Sequence, residues 1–170
     1  TMGAIVSLTR QSAENIDDYY ERIIHRLEAL NRAQNVLLSA NFMMGSMHAL
    51  MREVEAGFPR IKWSGPDLDL PENALVSMAL LLNELATNAV KHGALIYDRG
   101  AVTVVWGHED GPDGNRLFHL RWEETGAGNA IAEPERTRFG TLLMERSVRN
   151  NLGGRIERRW DSDGLVCDIY

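Results

Sequence analysis

Apolar side chains are spaced differently in the two parts of this 170-residue chain, which divide near residue 42. Before that point they recur every three or four positions, as expected for one long amphipathic helix. The residues on this stripe are Ile16, Tyr20, Ile23, Leu27, Leu30 and Leu37. Residues 2–8 have the pattern of the end of a preceding helix. We therefore expect an antiparallel helical hairpin over residues 1–42 and a second domain over residues 43–170.

A wide apolar stripe on such a hairpin needs a surface to pack against. A second copy of the chain would bury it most simply, by completing a dimeric four-helix bundle. Packing of the hairpin on the chain's own second domain is the alternative. We therefore expect a homodimer formed through the N-terminal helices.

The second domain mixes helical spacing with strict alternation. Helical spacing marks residues 47–56 and a longer segment that is entered through Pro71 and Glu72. Alternation is typical of half-buried strands, and it marks residues 102–106, 117–122, 156–160 and 165–169. A short strand is predicted at residues 61–64, and the turn-rich residues 109–115 predict a hairpin. Helices on one face of a mixed, mostly antiparallel sheet make a two-layer α/β sandwich, which is an α+β fold.

The helix that follows Pro71 carries candidate chemistry on one stripe. Glu84, Asn88, Lys91 and His92 fall on the same side of a helix at about 100° per residue. The opposite stripe is apolar and consists of Leu75, Met78, Leu82, Leu85 and Ala89. Asn88 can offer a hard oxygen to Mg²⁺, Lys91 can meet phosphate charge, and Glu84 can orient or deprotonate an attacking group. A solvated polar face is the alternative interpretation.

A carboxylate is predicted on the buried face of the strand at residues 117–122. The alternation places Phe118, Leu120 and Trp122 on one face, and its continuation places Glu124 there too. A buried carboxylate needs a hydrogen-bond partner, and the glycines of the following residues 125–128 let the backbone approach a ligand closely. The alternative is a glycine turn with Glu124 salt-bridged at the rim of the core.

A third candidate segment begins at Gly140, which opens an amphipathic pattern over residues 140–148. Free backbone N–H groups at such a helix start bind phosphate. The preceding residues 129–137 are polar, are interrupted by Pro134 and contain Arg136. They are predicted to form a mobile loop that closes over a nucleotide, and an ordinary surface loop is the alternative.

The composition and net charge restrict the classes of binding partner that we expect. The net charge of −6 and the pI near 5.4 argue against general binding to nucleic acid or anionic membranes. No apolar run approaches the ~18 residues of a membrane span. The single cysteine, Cys167, cannot form an internal disulfide and suits a reducing cytosol, and no cluster of His and Cys suggests zinc. We expect a cytoplasmic protein.

Taken in order, the segments resemble the ATP-binding domain of sensor histidine kinases. The matching runs are Glu-Leu-Ala-Thr-Asn-Ala-Val-Lys-His-Gly-Ala from residue 84, Trp-Glu-Glu-Thr-Gly-Ala-Gly from residue 122, Phe-Gly-Thr-Leu-Leu-Met-Glu-Arg from residue 139, Leu-Gly-Gly from residue 152 and Asp-Gly-Leu-Val-Cys-Asp-Ile from residue 163. The Trp122-x-Glu124 signature resembles the HWE group more narrowly. The resemblance runs over essentially the whole chain, and its specificity lies in the ordered set.

This resemblance implies a Bergerat-type ATP-binding fold and a role for each matching residue. Glu84 would be the acidic catalytic residue of the N box, which orients or deprotonates the acceptor imidazole, Asn88 the Mg²⁺ ligand, and Glu124 the acceptor for the adenine amino group. The other residues that it places at the nucleotide are Lys91, His92, Gly126, Gly128, Arg136, Arg138, Gly140, Thr141 and Leu142. The chain departs from the group at two points: Asn83 stands where a His is usual, and the first glycine of the second glycine box is replaced near Arg138.

The resemblance also implies a function. The chain would be part of a histidine kinase of a two-component system, which binds Mg-ATP and transfers the γ-phosphate to a histidine and then to the receiver domain of a response regulator. The acceptor histidine is expected just upstream of Thr1, and a sensor domain upstream of it, so His25 and His48 are expected to be ordinary surface histidines. The alternatives are a protein-serine kinase of the anti-sigma type and a dimeric phosphotransfer scaffold without ATP activity.

Overall fold

The computed structural model describes residues 15–39, 44–110, 116–127 and 148–170, together with Thr9, Gly114 and Glu145. Its helices are α1 (Ile16–Ser39), α2 (Met47–Gly57) and α3 (Glu72–His92). Its strands are β1 (Met44–Ser46), β2 (Ile61–Ser64), β3 (Asp69–Pro71), β4 (Ala101–Asp110), β5 (Arg116–Thr125), β6 (Ile156–Asp161) and β7 (Gly164–Ile169). A 3₁₀ turn, Ala94–Ile96, follows α3, and a π-helical segment, Val148–Leu152, precedes β6.

Within the described residues, the main sheet has five strands in the order β2-β4-β5-β7-β6. Of the strand pairs in this described sheet, β2–β4 is parallel, and β4–β5, β5–β7 and β6–β7 are antiparallel. The β4–β5 register runs from Ala101 opposite Thr125 to Asp110 opposite Arg116, as the predicted hairpin requires. β1 and β3 form a separate antiparallel pair that the sequence pattern did not predict. The predicted α+β fold with a mixed, mostly antiparallel sheet is confirmed.

One hydrophobic core joins the inner face of the sheet to α2 and α3. Trp122 and Leu120 of β5 and Ile169 of β7 are fully buried in this core, together with Leu50 of α2 and Leu82 of α3. These strand residues alternate with outward-facing neighbours, so one face of the sheet is covered by helices. The layer arrangement places the C-terminal ends of α3 and β5 side by side.

Helix α1 packs on α2 and α3 of the same chain, and the predicted division into residues 1–42 and 43–170 stays a prediction. Ala33, Val36 and Leu37 belong to the same core as α2 and α3, so packing within the chain is the alternative observed. Part of the predicted stripe stays exposed, since Ile16 and Tyr20 remain mostly accessible to solvent. The helix that we expected before α1 lies outside the described residues apart from Thr9. The dimer through α1 therefore stays a prediction. Within the described ranges, none of the helices has the length and apolar composition that a membrane span requires.

Candidate functional site

The apolar stripe of α3 is buried as predicted, and part of its polar stripe is buried as well. All five predicted core positions, from Leu75 to Ala89, are inaccessible to solvent. Glu84, predicted on the polar stripe, retains only 8% of its accessible surface. A solvated polar face is therefore excluded for this residue. The element that covers it is α1.

An arginine of α1 contacts the buried carboxylate directly. Nε of Arg26 donates to Oε1 of Glu84 over 2.7 Å, and one terminal nitrogen of the same guanidinium donates to Oγ1 of Thr9 over 2.5 Å. Arg26 is completely buried, and its other terminal nitrogen has no hydrogen-bond partner among the described residues. A buried charge is costly unless it is paired, so the two residues depend on each other. Sequence reasoning missed Arg26, although its position three residues after Ile23 places it on the apolar stripe of α1.

Two further residues of α3 contact the same helix. Nζ of Lys91 donates to Oε2 of Glu21 over 2.6 Å, and this hydrogen bond with the charge of Lys91 lowers the pKa of the Glu21 carboxyl. The amide of Asn83 donates to the backbone oxygen of His25 over 3.1 Å and accepts from Arg32. Helix α1 thus engages the predicted catalytic acid and one predicted phosphate-binding cation in this arrangement. Asn88 lies half-buried one turn beyond Glu84, and His92 is exposed at the end of α3.

Glu124 lies on the buried face of β5, as predicted, and retains only 3% of its accessible surface. Its Oε2 accepts from the backbone N–H of Ala94 over 2.8 Å, and its Oε1 accepts from the indole N–H of Trp122 over 3.3 Å. Burial raises the pKa of the Glu124 carboxyl, although both hydrogen bonds act in the opposite direction. Both donors are neutral, so the carboxylate is not the salt-bridged rim residue that was the alternative.

Backbone surrounds the Glu124 carboxylate closely. A Cβ atom on Gly93 would collide with its Oε2 and with the backbone Cα of Ala89, so only glycine fits at the end of α3. Gly126 has a φ of 84°, and a Cβ atom there would collide with the carbonyl of Arg99. These contacts bring together the two segments that sequence reasoning paired, namely the end of the Glu84 helix and the glycine turn after Glu124.

The remaining predicted nucleotide contacts cannot be placed. Gly128, Arg136, Arg138, Gly140, Thr141 and Leu142 lie outside the described residues, as does the predicted mobile loop at residues 129–137. Their roles stay predictions. The described part of the site is therefore the half formed by α3, the turn after it and the end of β5.

Comparisons with known proteins agree with the resemblance. Residues 1–67 match the family model described as HWE histidine kinase. A blue-light-activated histidine kinase of Rhizobium johnstonii is 34% identical over 99% of this chain and 48% of its own length. One of Brucella anthropi is also 34% identical, over 99% of this chain and 36% of its own length. The chain thus spans about half or less of the length of these curated relatives.

Solved structures share the fold. The histidine kinase domain of a blue-light activated histidine kinase from Erythrobacter litoralis superposes with a TM-score of 0.61 at 18% identity, covering 99% of this chain and 93% of that one. The catalytic domain of histidine kinase ThkA gives a TM-score of 0.50 at 14% identity, covering 74% of this chain and 92% of that one. At these identities the likeness concerns the fold alone. The match of residues 1–67 to the HWE family model and the similarity of nearly the whole chain to blue-light-activated histidine kinases confirm the resemblance to the HWE histidine kinases.

Proposed function

We propose that this chain binds ATP together with Mg²⁺, and that the protein containing it transfers the γ-phosphate to a histidine and then to a response regulator. The observation that carries the proposal is Glu124, a buried carboxylate held by neutral donors where the end of β5 meets the end of α3. Similarity to the HWE histidine kinases favours histidine over serine as the acceptor. Binding of Mg-ATP separates a kinase from a scaffold that lacks ATP activity.

Glu124 is suited to recognise adenine. A carboxylate has about four lone-pair positions, and the Ala94 amide and the Trp122 indole use two of them. An exocyclic amino group can donate to one of the others, whereas the carbonyl oxygen of guanine would face an acceptor. Since an ionised carboxylate accepts strongly and an unpaired buried acceptor is costly, ATP is favoured over GTP.

The last turns of α3 are suited to the phosphates. Asn88, Lys91 and His92 follow one another toward Ala94, the residue that contacts Glu124. Mg²⁺ is commonly held by one or two protein ligands and by substrate phosphates, and the amide oxygen of Asn88 is such a ligand. Among the described residues, no group of three or more His, Cys, Asp or Glu side chains could hold a metal ion. The bound metal would neutralise phosphate charge during transfer.

Glu84 must change partners before it can act. While its Oε1 accepts from Arg26, the carboxylate is neutralised by a buried cation and is covered by α1. To orient or deprotonate an acceptor imidazole, it has to exchange Arg26 for that imidazole. Arg26 and Glu21 lie on the same helix, so one displacement of α1 would release both Glu84 and Lys91.

The remaining partners follow from the family and from α1. The exposed apolar residues Ile16, Tyr20 and Ile24 support a homodimer through this helix. A response-regulator receiver domain is the proposed phosphate acceptor. We also propose a sensor domain elsewhere in the full-length protein, since this chain spans only 48% and 36% of the two relatives. Because the substrate is ATP, we place the protein in the cytoplasm.

Calorimetric titration of the chain with ATP in the presence of Mg²⁺ tests the proposal. Wild type should bind ATP, and Asn88→Ala should lose Mg²⁺-dependent binding while its stability changes by only about 0.5 kcal/mol, because a half-buried metal ligand leaves no large cavity. Asn151→Ala is a matched control, because the Asn151 amide donates to Ser77, which lies three turns before Asn88 on α3. Unchanged affinity in a folded Asn88→Ala variant would remove the metal assignment, and a wild-type chain that binds no ATP would remove the proposal itself.

A further inference from the structure

We propose that Arg60 is a positioning residue of the nucleotide site: it holds the turn at residues 93–100, and through that turn it fixes the Glu124 carboxylate. This inference rests on the proposed function, because it gives Arg60 a part in adenine selection. Arg60 follows α2 and directly precedes β2, so it lies before the quoted motif runs, which begin at residue 84.

The guanidinium of Arg60 binds three backbone carbonyls of one turn. One terminal nitrogen donates to the oxygen of Tyr97 over 2.6 Å and to that of Gly100 over 3.1 Å, and the other donates to the oxygen of Leu95. The backbone oxygen of Arg60 also accepts from the N–H of Val102 at the start of β4. A planar guanidinium with five donors can bridge several carbonyls at once, which a lysine cannot do in the same geometry.

The opposite side of the same turn contacts Glu124 and the residue that follows its strand. The N–H of Ala94 donates to Oε2 of Glu124, and the carbonyl of Arg99 packs so closely on Gly126 that no side chain fits there. Inside the turn, the N–H of Tyr97 donates to the backbone oxygen of Ala94 over 3.0 Å, and the N–H of Gly100 donates to the backbone oxygen of Tyr97 over 2.9 Å. The turn thus connects the Arg60 guanidinium with the Glu124 carboxylate.

The position of this turn sets the direction in which Glu124 can accept a hydrogen bond. Among the described residues, the N–H of Ala94 is the donor to its Oε2, so a displaced Ala94 leaves the longer bond from Trp122 to Oε1 and allows the carboxylate to rotate about that bond. Recognition of the adenine amino group depends on that orientation, because hydrogen bonds weaken steeply with angle. Arg60 itself is exposed, so screening limits what its bonds add to global stability. Its effect should therefore appear in nucleotide selection more than in unfolding.

Arg60→Met and Arg60→Lys test this inference in the chain as it stands. Affinities for ATP and GTP are measured by calorimetry with Mg²⁺, and hydrogen exchange is measured at the Ala94 amide. Arg60→Met should weaken ATP binding at least about fivefold, lower the ATP-to-GTP preference by a similar factor and speed exchange at Ala94. Arg60→Lys should give an intermediate effect on all three. Lys62→Met is the matched control, because Lys62 is an exposed cation two residues later that pairs with Glu55 instead.

The outcomes separate this inference from the proposed function. A folded Arg60→Met variant with an unchanged nucleotide preference and unchanged Ala94 exchange overturns the inference. A lower free energy of unfolding with an unchanged ATP-to-GTP preference would give Arg60 a purely structural role, which also overturns the inference. If wild type binds no ATP, the proposed function fails, while Ala94 exchange still decides whether Arg60 controls the turn. If Arg60→Met does not fold, Arg60→Lys carries the comparison.

Discussion

The pair of Arg26 and Glu84 tests whether α1 is docked on α3 as described. Arg26→Met removes the guanidinium, keeps an unbranched side chain and leaves the Glu84 carboxylate buried without its cation. The side chain of Arg26 is fully buried and that of Glu84 is 11% accessible, so solvent screening offers little relief. Removing one partner of such a pair costs about 3–5 kcal/mol. We therefore expect Arg26→Met to lower the free energy of unfolding by about 3 kcal/mol.

A double-mutant cycle isolates the pair from other effects. Glu84→Met leaves Arg26 buried without its carboxylate partner. The variant with both substitutions removes both charges and leaves apolar side chains of similar size. Replacing a buried pair by apolar residues is often close to neutral, so the double variant should be much less destabilised than the sum of the single variants. We expect a coupling energy of at least about 2 kcal/mol, measured from urea unfolding curves.

The control for this cycle lies on the same helix. Arg22 pairs with Asp18 four residues earlier over 2.8 Å, so it is a paired arginine whose partner is in α1 rather than α3. Arg22→Met should cost only about 0.5 kcal/mol. If Arg26→Met costs no more than this control and the cycle shows additivity, α1 is not docked on Glu84 in solution.

Two titrating carboxyls give the remaining predictions. Burial raises the pKa of Glu124, so above its ordinary value of 4.5 the native chain keeps a proton that the unfolded chain loses, and stability falls as pH rises across that window. Glu124→Gln should flatten this slope in urea unfolding at several pH values, and an identical slope in both proteins would contradict the assignment. For Asp168, burial opposes ionisation, but hydrogen bonds from Arg121 and His119 outweigh it and lower the pKa, so this contribution is lost as pH falls below 3.8. Asp168→Asn should destabilise the chain at neutral pH by about 2 kcal/mol, and a loss below that of the Arg22→Met control would show that the cluster contributes little.

The periodic spacing of apolar residues predicted those helices and strands that have one buried face and one exposed face. The apolar stripe of α3 and the alternation of β5 both continue over several repeats, and the buried position of Glu124 followed from extending that alternation. β1 and β3 were missed because strands of three residues are too short to show a period. The packing of α1 on α2 and α3 of the same chain was not the favoured expectation, because an apolar stripe does not indicate which surface covers it.

The partners of the site residues were harder to predict than the residues themselves. Glu124 accepts from the backbone N–H of Ala94, and residue identities do not reveal which backbone N–H donates to a side chain. Arg26 and Glu84 are 58 positions apart, and Arg60 reaches carbonyls 35 to 40 positions later. Local spacing holds no information about such contacts. Arg26 did have a local signal, since a charge on an apolar stripe requires a buried partner.

At the contact between α1 and Glu84, substitution of Arg26 should cost more free energy than displacement of the whole helix. A substitution at Arg26 leaves the Glu84 carboxylate under α1, where it can recover neither a cation nor water. Displacement of α1 removes the cover and the cation together, so both charges become hydrated and much of the desolvation cost of the pair is recovered. The exposed pair of Glu21 and Lys91 adds little to the free energy needed to displace α1, because its charges are already largely hydrated. The free-energy difference between the covered and uncovered states is therefore set mainly by the apolar surface of α1 around Ala33, Val36 and Leu37. A partner that offers an alternative apolar surface to this helix would shift that balance without altering any residue of the nucleotide site.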